Sequence, residues 1–205
     1  MNDNIAQEIL RNELGFSDNS IRNMAKFHDY LIQYNKNYNL ISKSTEKSIW
    51  IRHILDSAQL IKFLDPLKQK KIADFGSGAG FPGLIIAFYN ENRGFHVKLY
   101  EKSKVKRQFL LRIKEKLDLK NVDIARDVYH EEIKEDIIIC RAFKKLEEII
   151  RISREKIKKP HKLLILKGKN AQTAINKVSL GNNYSYKLES SITEHDSKII
   201  IVNAK

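Results

Sequence analysis

The sequence predicts an α/β fold, a mostly parallel, doubly wound sheet preceded by helices and finished at one edge by an antiparallel C-terminal pair. Three observations carry this reading. From Lys71 onward, apolar runs of four or five residues alternate with stretches of helical period. A glycine-dense turn stands between the first of those runs and the helix that follows it. The last two apolar runs are joined by a polar turn too short to hold a crossover helix.

The chain has 205 residues, 42% of them apolar and 31% charged, which suits one domain with a helical extension rather than two full domains. Enough apolar surface is present to exclude collagen-like, low-complexity and wholly disordered classes. Cys140 is the single cysteine, so no internal disulfide can form, and the six histidines are scattered, so no structural metal site is expected. The chain starts Met1-Asn2-Asp3-Asn4, without a basic, apolar leader, and no run approaches the roughly 18 apolar residues of a membrane span. A cytoplasmic protein, monomeric and metal-free, is the expectation.

Residues 1–65 read as a helical extension and 66–205 as the α/β unit. Ile5, Ile9 and Leu10 share one helix face. Ser20 is placed to cap a second helix carrying Ile21, Met24, Phe27, Leu31 and Tyr34. After a polar break, residues 49–61 suggest a third helix ending near Pro66. The predicted strands are 71–75, 97–101, 122–125, 137–140 and 163–167, with helices near 83–89, 104–117, 144–158 and 171–178 between them. Residues 184–190 and 198–203 form the antiparallel pair.

The net charge of +13 is unevenly spread. Residues 1–60 hold seven basic and seven acidic side chains, so the whole excess lies in residues 61–205. Two windows concentrate it: ten Lys/Arg against four acids in 98–126, and twelve against three in 141–177. Such a surface suits nucleic acid, whose neutralised phosphates release counterions. In the predicted helix 104–117, basic residues including Lys104, Lys106, Arg107 and Arg112 flank an apolar seam of Val105, Phe109, Ile113 and Leu117. Those side chains suit phosphate contacts.

The most informative segment is Ala73-Asp74-Phe75-Gly76-Ser77-Gly78-Ala79-Gly80-Phe81-Pro82-Gly83. Four glycines in eight residues exceed the needs of a strand-to-helix turn and point to backbone approaching a ligand. Gly78 to Gly83 satisfies the dinucleotide pattern G-x-G-x-x-G, yet an acid at the strand end, Asp74, is a poor neighbour for pyrophosphate. S-adenosylmethionine lacks phosphate and carries an ammonium and a sulfonium, so Asp74 favours it over a nicotinamide cofactor. Glu101, closing the second strand, can accept both hydroxyls of a ribose.

With these residues, the chain resembles, over nearly its whole length, the bacterial small-subunit (16S) ribosomal RNA 7-methylguanosine methyltransferase family, known as glucose-inhibited division protein B or methyltransferase G. The matching stretches are Tyr38-Asn39-Leu40, Arg52-His53-Ile54-Leu55-Asp56-Ser57, the loop Asp74 to Gly83, Lys106-Arg107 with Phe109-Leu110, Arg141-Ala142-Phe143, and Leu166-Lys167-Gly168. The resemblance implies a class I, Rossmann-like S-adenosylmethionine-dependent methyltransferase. Its substrate would be one guanine in the decoding-region loop of 16S ribosomal RNA, met as RNA or as an assembling small ribosomal subunit. It places cofactor contacts on Gly76, Phe81, Asp127-Val128 and Arg141, beside Asp74, Gly78 and Glu101 from the residues themselves. One departure is that the family usually has glutamate, not Asp127, after the arginine.

A methyltransferase of a base amine would follow its fourth strand with an Asn/Asp-Pro-Pro-aromatic turn, and here Cys140 runs into Arg141-Ala142-Phe143. Ring nitrogen 7 of guanine already presents a lone pair, so it needs placement rather than a base. Arg141 is expected to bind cofactor, orient guanine, or both, and Lys167, at the end of the fifth strand, is the other positioning cation; no general base is expected. Arg52 and His53 join Lys104, Lys106, Arg107 and Lys167 as candidates for RNA contact, and His53 and Asp56 could instead brace the site. Cys140 reads as core. Alternatives are a methyltransferase of another RNA base or a small molecule, and an RNA-binding module without turnover.

Overall fold

The computed structural model describes residues 1–65, 71–89 and 94–205. A seven-stranded sheet forms its centre, in the order β3-β2-β1-β4-β5-β7-β6. The strands are β1 (Lys71–Phe75), β2 (His96–Tyr100), β3 (Val122–Ala125), β4 (Ile137–Arg141), β5 (His161–Lys167), β6 (Tyr184–Ser190) and β7 (Lys198–Ala204). β1 to β5 pair in parallel, while β7 runs antiparallel to both β5 and β6. The alternation of short apolar runs with helical stretches and the short final turn therefore point to the observed sheet class, because strands buried on both faces are continuous apolar runs and the helices between them are crossovers.

Each face of the sheet is covered by helices. One carries Ile72, Val97, Leu99, Ile137, Ile139 and Leu164 against α4 (Gly83–Phe88), α5 (Lys104–Lys116) and the N-terminal helices. The other carries Phe75, Tyr100, Ile138, Cys140 and Ile165 against α6 (Leu146–Lys156) and α7 (Ala171–Asn176). The extension consists of α1 (Asp3–Asn12), α2 (Asp18–Tyr38), a 3-10 helix Lys43–Ser48 and a composite segment: a π-helical turn Trp50–Leu55, α3 (Asp56–Ala58) and a 3-10 turn Gln59–Phe63. Pro66 lies outside the described residues.

The extension shares the core of the sheet. Phe27 of α2 is fully buried with its ring 5.4 Å from Phe81, 5.9 Å from Phe88 and 6.3 Å from Phe109. Aromatic burial of that kind is worth several kcal/mol, roughly 3–5 on truncation to alanine. Two local expectations are corrected. Ser17, not Ser20, caps α2 by accepting from Ser20 N at 3.1 Å, and the buried Ser20 hydroxyl donates to Phe88 O at 2.6 Å. Val105 is 42% exposed and lies off the buried seam of α5, which is Phe109, Leu110 and Ile113.

The C-terminal ends of β1, β4 and β5 are level, with Phe75 opposite Cys140 and Cys140 opposite Ile165. After β1 the chain winds outward through β2 and β3, then returns to start β4 on β1's other side. Ligands of open α/β sheets bind where the winding reverses, and here that point gathers the loops after Phe75, Cys140 and Leu166.

Candidate active site

The glycine loop leaves β1 and turns at once. Gly76 N and Ser77 N both donate to Tyr100 O, at 2.9 and 3.0 Å, anchoring the loop to β2. Gly76 has φ +70°, and a Cβ there would stand 2.4 Å from Phe143 Cδ2, so glycine is required on both conformational and steric grounds. At Gly83 the limit is close approach: a Cβ would meet Leu99 Cδ2 at 2.3 Å and Asp74 Oδ2 at 2.6 Å.

Asp74 sits differently from the sequence expectation. Its side chain is wholly buried behind the loop, where Oδ2 accepts from Gly83 N at 2.9 Å and Oδ1 has no hydrogen-bond partner among the described residues. Burial pushes its pKa up to about 7, against the pull of the nearby Ser77 hydroxyl, which donates to the Asp74 backbone carbonyl, and of the Gly83 amide. Near neutrality the carboxyl is thus only partly ionised, and it lines none of the three cavities of the site. It holds the loop and the start of α4 instead of presenting a full negative charge to a ligand. A titration follows. The unfolded carboxyl ionises near pH 4, whereas the folded one keeps its proton until about pH 7, so its stabilising contribution is complete below pH 4 and is lost as pH rises to 7. Urea midpoints of wild type and Asp74→Asn should show wild type losing ground to the variant between pH 4.5 and 8; a gap that widens in wild type's favour would contradict this.

The first cavity, of about 240 Å³, is lined by Gly76, Gly78, Glu101, Asp127, Val128 and Phe143, among others. Five residues expected at a cofactor are thereby brought to one wall. Glu101 is nearly buried and holds the loop itself: Oε2 accepts from Gly78 N at 2.8 Å and Oε1 from Ser103 N at 2.7 Å. A carboxylate offers about four lone-pair sites, so two stay open for a ribose diol. The Asp127 carboxylate turns back on its own loop, accepting from Tyr129 N at 2.8 Å and contacting His130 Nδ1 at 2.8 Å. What it offers the cavity is therefore its backbone and the buried Val128.

Phe81 and Arg141 line a second cavity of about 570 Å³, which continues the first past Gly76, Gly78, Lys106 and Ala142. Arg141 lies 5.0 Å over the Phe81 ring, donates to Arg52 O at 2.8 Å and meets His53 Nδ1 at 2.7 Å. Because an arginine only donates, His53 Nδ1 must accept, and its Nε2 carries the proton toward Thr45 Oγ1, 2.9 Å away. His53 also stacks on Phe81 at 5.0 Å, and burial, with Arg141 and Arg52 nearby, lowers its pKa to about 3, so it is neutral. The π-helical turn that carries Arg52 and His53 is a rare geometry, frequent at functional sites. His53 is half-buried on the wall of the second cavity, and its observed contacts, to Arg141, Thr45 and Phe81, are those of a brace.

Asp56 completes the network. Thr193 Oγ1 and Gln59 Nε2 donate to its Oδ1 at 3.0 and 2.9 Å, and its Oδ2 stands 3.6 Å from Arg141. Burial raises the Asp56 pKa, opposed by Arg141, and burial lowers that of Arg141, opposed by Asp56 and Asp74. Thr193 and Glu194, in the turn between β6 and β7, went unnoticed in the sequence; Thr193 lies 137 positions from Asp56, and no local pattern announces that contact. Ala142 was also missed as a special position: at φ +50° it is a left-handed alanine, and it lines all three cavities.

The third cavity, about 280 Å³, opens at the ends of β4 and β5 and is lined by Asp56, Cys140, Arg141, Phe143, Ile165 and Lys167, among others. Cys140 is fully buried in its floor, and burial together with Asp74 pushes the thiol up, so it offers no thiolate. Of the expected RNA contacts, Lys104 is exposed at the start of α5, and Lys106 and Lys167 are half-buried on cavity walls. Arg107 is spent on the carbonyls of Glu101 and Lys102, at 2.8 and 2.6 Å. Arg52 pairs with Glu194 at 3.0 Å, both half exposed, and Arg112 is engaged with Tyr34.

Against known proteins, a match to the family described as rRNA small subunit methyltransferase G spans residues 20–200. A ribosomal RNA small subunit methyltransferase G from Orientia tsutsugamushi (strain Ikeda) is 36% identical over 179 residues, covering 85% of this chain and 87% of the relative. One from Pelagibacter ubique (strain HTCC1062) is 34% identical over 179 residues, covering 85% and 84%. Among solved structures, a ribosomal protein methylase from Lactobacillus delbrueckii subsp. bulgaricus superposes with a TM-score of 0.58 at 10% identity, over 74% of this chain and 77% of that one. An MtNAS variant in complex with S-adenosylmethionine gives 0.58 at 11% identity, over 100% and 84%. The last two likenesses are of fold.

Proposed function

The chain belongs to the rRNA small subunit methyltransferase G family, and from that premise we propose that it transfers a methyl group from S-adenosylmethionine to nitrogen 7 of a guanine in 16S ribosomal RNA. Residues 1–65 then act as a helical extension of the methyltransferase unit 66–205, and the target is the RNA or an assembling small subunit. The observation that carries the reading is the junction of the three cavities at Ala142, between the glycine loop and the end of β4. An adenosyl group fits the first cavity: Gly76 and Gly78 present bare backbone, Glu101 keeps acceptor capacity for the ribose, and Val128 supplies an apolar wall. S-adenosylmethionine, held there by Gly76, Gly78, Glu101 and Val128, would supply an electrophilic methyl group for the nitrogen lone pair.

The rest falls to the chain's own residues. Arg141, Phe81 and His53 form a stack on the passage between cavities, which positions the reacting groups. No side chain has to remove a proton before attack, because the ring nitrogen already carries its lone pair. Lys167 and Lys106 put positive charge on the walls for the RNA backbone. No helix among the described residues is long and apolar enough to cross a membrane.

Purified protein with methyl-labelled S-adenosylmethionine and small-subunit RNA or particles lacking the modification should yield labelled 7-methylguanosine after nuclease digestion. Label in another nucleoside, or in none, would overturn the proposal.

A further inference from the structure

Among the described residues, Asp56 is the one carboxylate on the wall shared by the second and third cavities, and Arg141 stands beside it on the same wall. Both hydrogen bonds to its carboxylate from the described residues fall on Oδ1, so Oδ2 retains acceptor capacity beyond its 3.6 Å pairing with Arg141. The third cavity has an apolar floor of Cys140, Ile149, Ile165 and Leu166, and the Phe143 ring on its side. At about 280 Å³ it has room for one planar base and none for a base pair. Enzymes that modify a base draw it out of its stack into such a pocket and read its pairing edge by hydrogen bonds.

Resting on the proposed function, we propose that Asp56 is the residue that selects guanine, accepting from ring nitrogen 1 and the exocyclic amine while Arg141 donates to the 6-carbonyl oxygen. Guanine is the base whose pairing edge places two donors next to one acceptor. The Asp56–Arg141 pair is the complementary arrangement, an acceptor carboxylate beside a donor fork. Adenine presents a bare ring nitrogen to the carboxylate and an amine to the arginine, which repels at both ends. With that edge on Asp56 and Arg141, nitrogen 7 lies on the opposite flank of the carbonyl and can face the junction at Ala142. The carboxylate also gains in the transition state. As the methyl carbon bonds to nitrogen 7, positive charge passes from sulfur to the ring, and hydrogen bonds from a cationic ring to a carboxylate are stronger than those from a neutral one.

The test compares RNA carrying guanosine or inosine at the modified position, since inosine lacks only the exocyclic amine. Wild type is expected to methylate the inosine RNA about tenfold less efficiently in kcat/KM, within the range of a good hydrogen-bonded base contact. In Asp56→Asn, the amide oxygen stays with Gln59 and Thr193 and its NH2 faces the cavity, a donor set against donors. The guanosine reaction should then fall about a hundredfold, the preference for guanosine over inosine should collapse to near unity, and S-adenosylmethionine binding by calorimetry should stay within threefold of wild type. A residue that merely braced the fold would lower both reactions and leave the preference intact. Equal methylation of both RNAs by wild type, or a preference retained in the variant, overturns the assignment. If the variant does not fold, the wild-type comparison decides alone. Failure of wild type to methylate even the guanosine RNA would remove the functional reading, and this assignment with it.

Discussion

Replacing Arg141 by alanine should cost about a hundredfold in kcat, the scale expected when reacting groups lose their fixed relative position by about an ångström. The guanidinium ties β4 to the helical extension through Arg52 O and His53 and balances Asp56. Arg141 and Asp56 are 19% and 18% exposed, so removing one partner costs at most about 3 kcal/mol, the lower end for a fully buried pair, which for a chain of this length lowers the melting temperature by up to about 10 °C. Arg141→Lys separates the two effects. It keeps the charge beside Asp56 but cannot hold the two fork contacts at once, so thermal stability should largely return while turnover stays low. Stopped-turnover assays and thermal melts on both variants measure this, and an alanine variant with normal kcat would refute the role given to the stack.

Gly76→Ala has the second large expected effect. The left-handed backbone costs an alanine roughly 1–2 kcal/mol, and the new methyl would stand 2.4 Å from the Phe143 ring. That ring packs edge-on against Phe75 at 5.9 Å and lines both the first and third cavities, so its displacement deforms the wall. Calorimetric affinity for S-adenosylmethionine should drop at least about tenfold, in keeping with a 1.4 kcal/mol loss. Gly181→Ala is the control: its φ of +72° matches, but nothing lies within 4 Å of its Cβ. It should lose the same backbone strain energy and keep full affinity. Equal affinity loss in both variants would locate the effect in general destabilisation rather than in the loop.

Much of the molecule was legible in the sequence. The strands from Lys71 to Lys167 could be read because short apolar runs buried on both faces have few other structures open to them, and the glycine loop because so dense a run of glycines marks backbone that is turned left-handed at Gly76 and closely approached at Gly83. Glu101, Gly76, Gly78, Asp127 and Val128 meet on one wall because α/β topology brings the ends of β1, β2 and β3 to one edge. Where the reading slipped, competing local options differed by little. Ser17 and Ser20 are equally good caps on paper, and only the Phe88 carbonyl, 68 positions away, decides which is engaged inward.

The sequence by itself determined the sheet, its helical partners and the loop, since these follow from periodicity and backbone freedom, which are properties of neighbours along the chain. Tertiary structure alone decided what the charges do. Asp74 is turned behind the loop and pushed toward neutrality, Arg107 is drawn onto carbonyls, and Arg141, His53, Asp56 and Thr193 are joined across the fold. A charged group's role depends on its desolvation and on partners within a few ångströms, and neither is set by position in the chain.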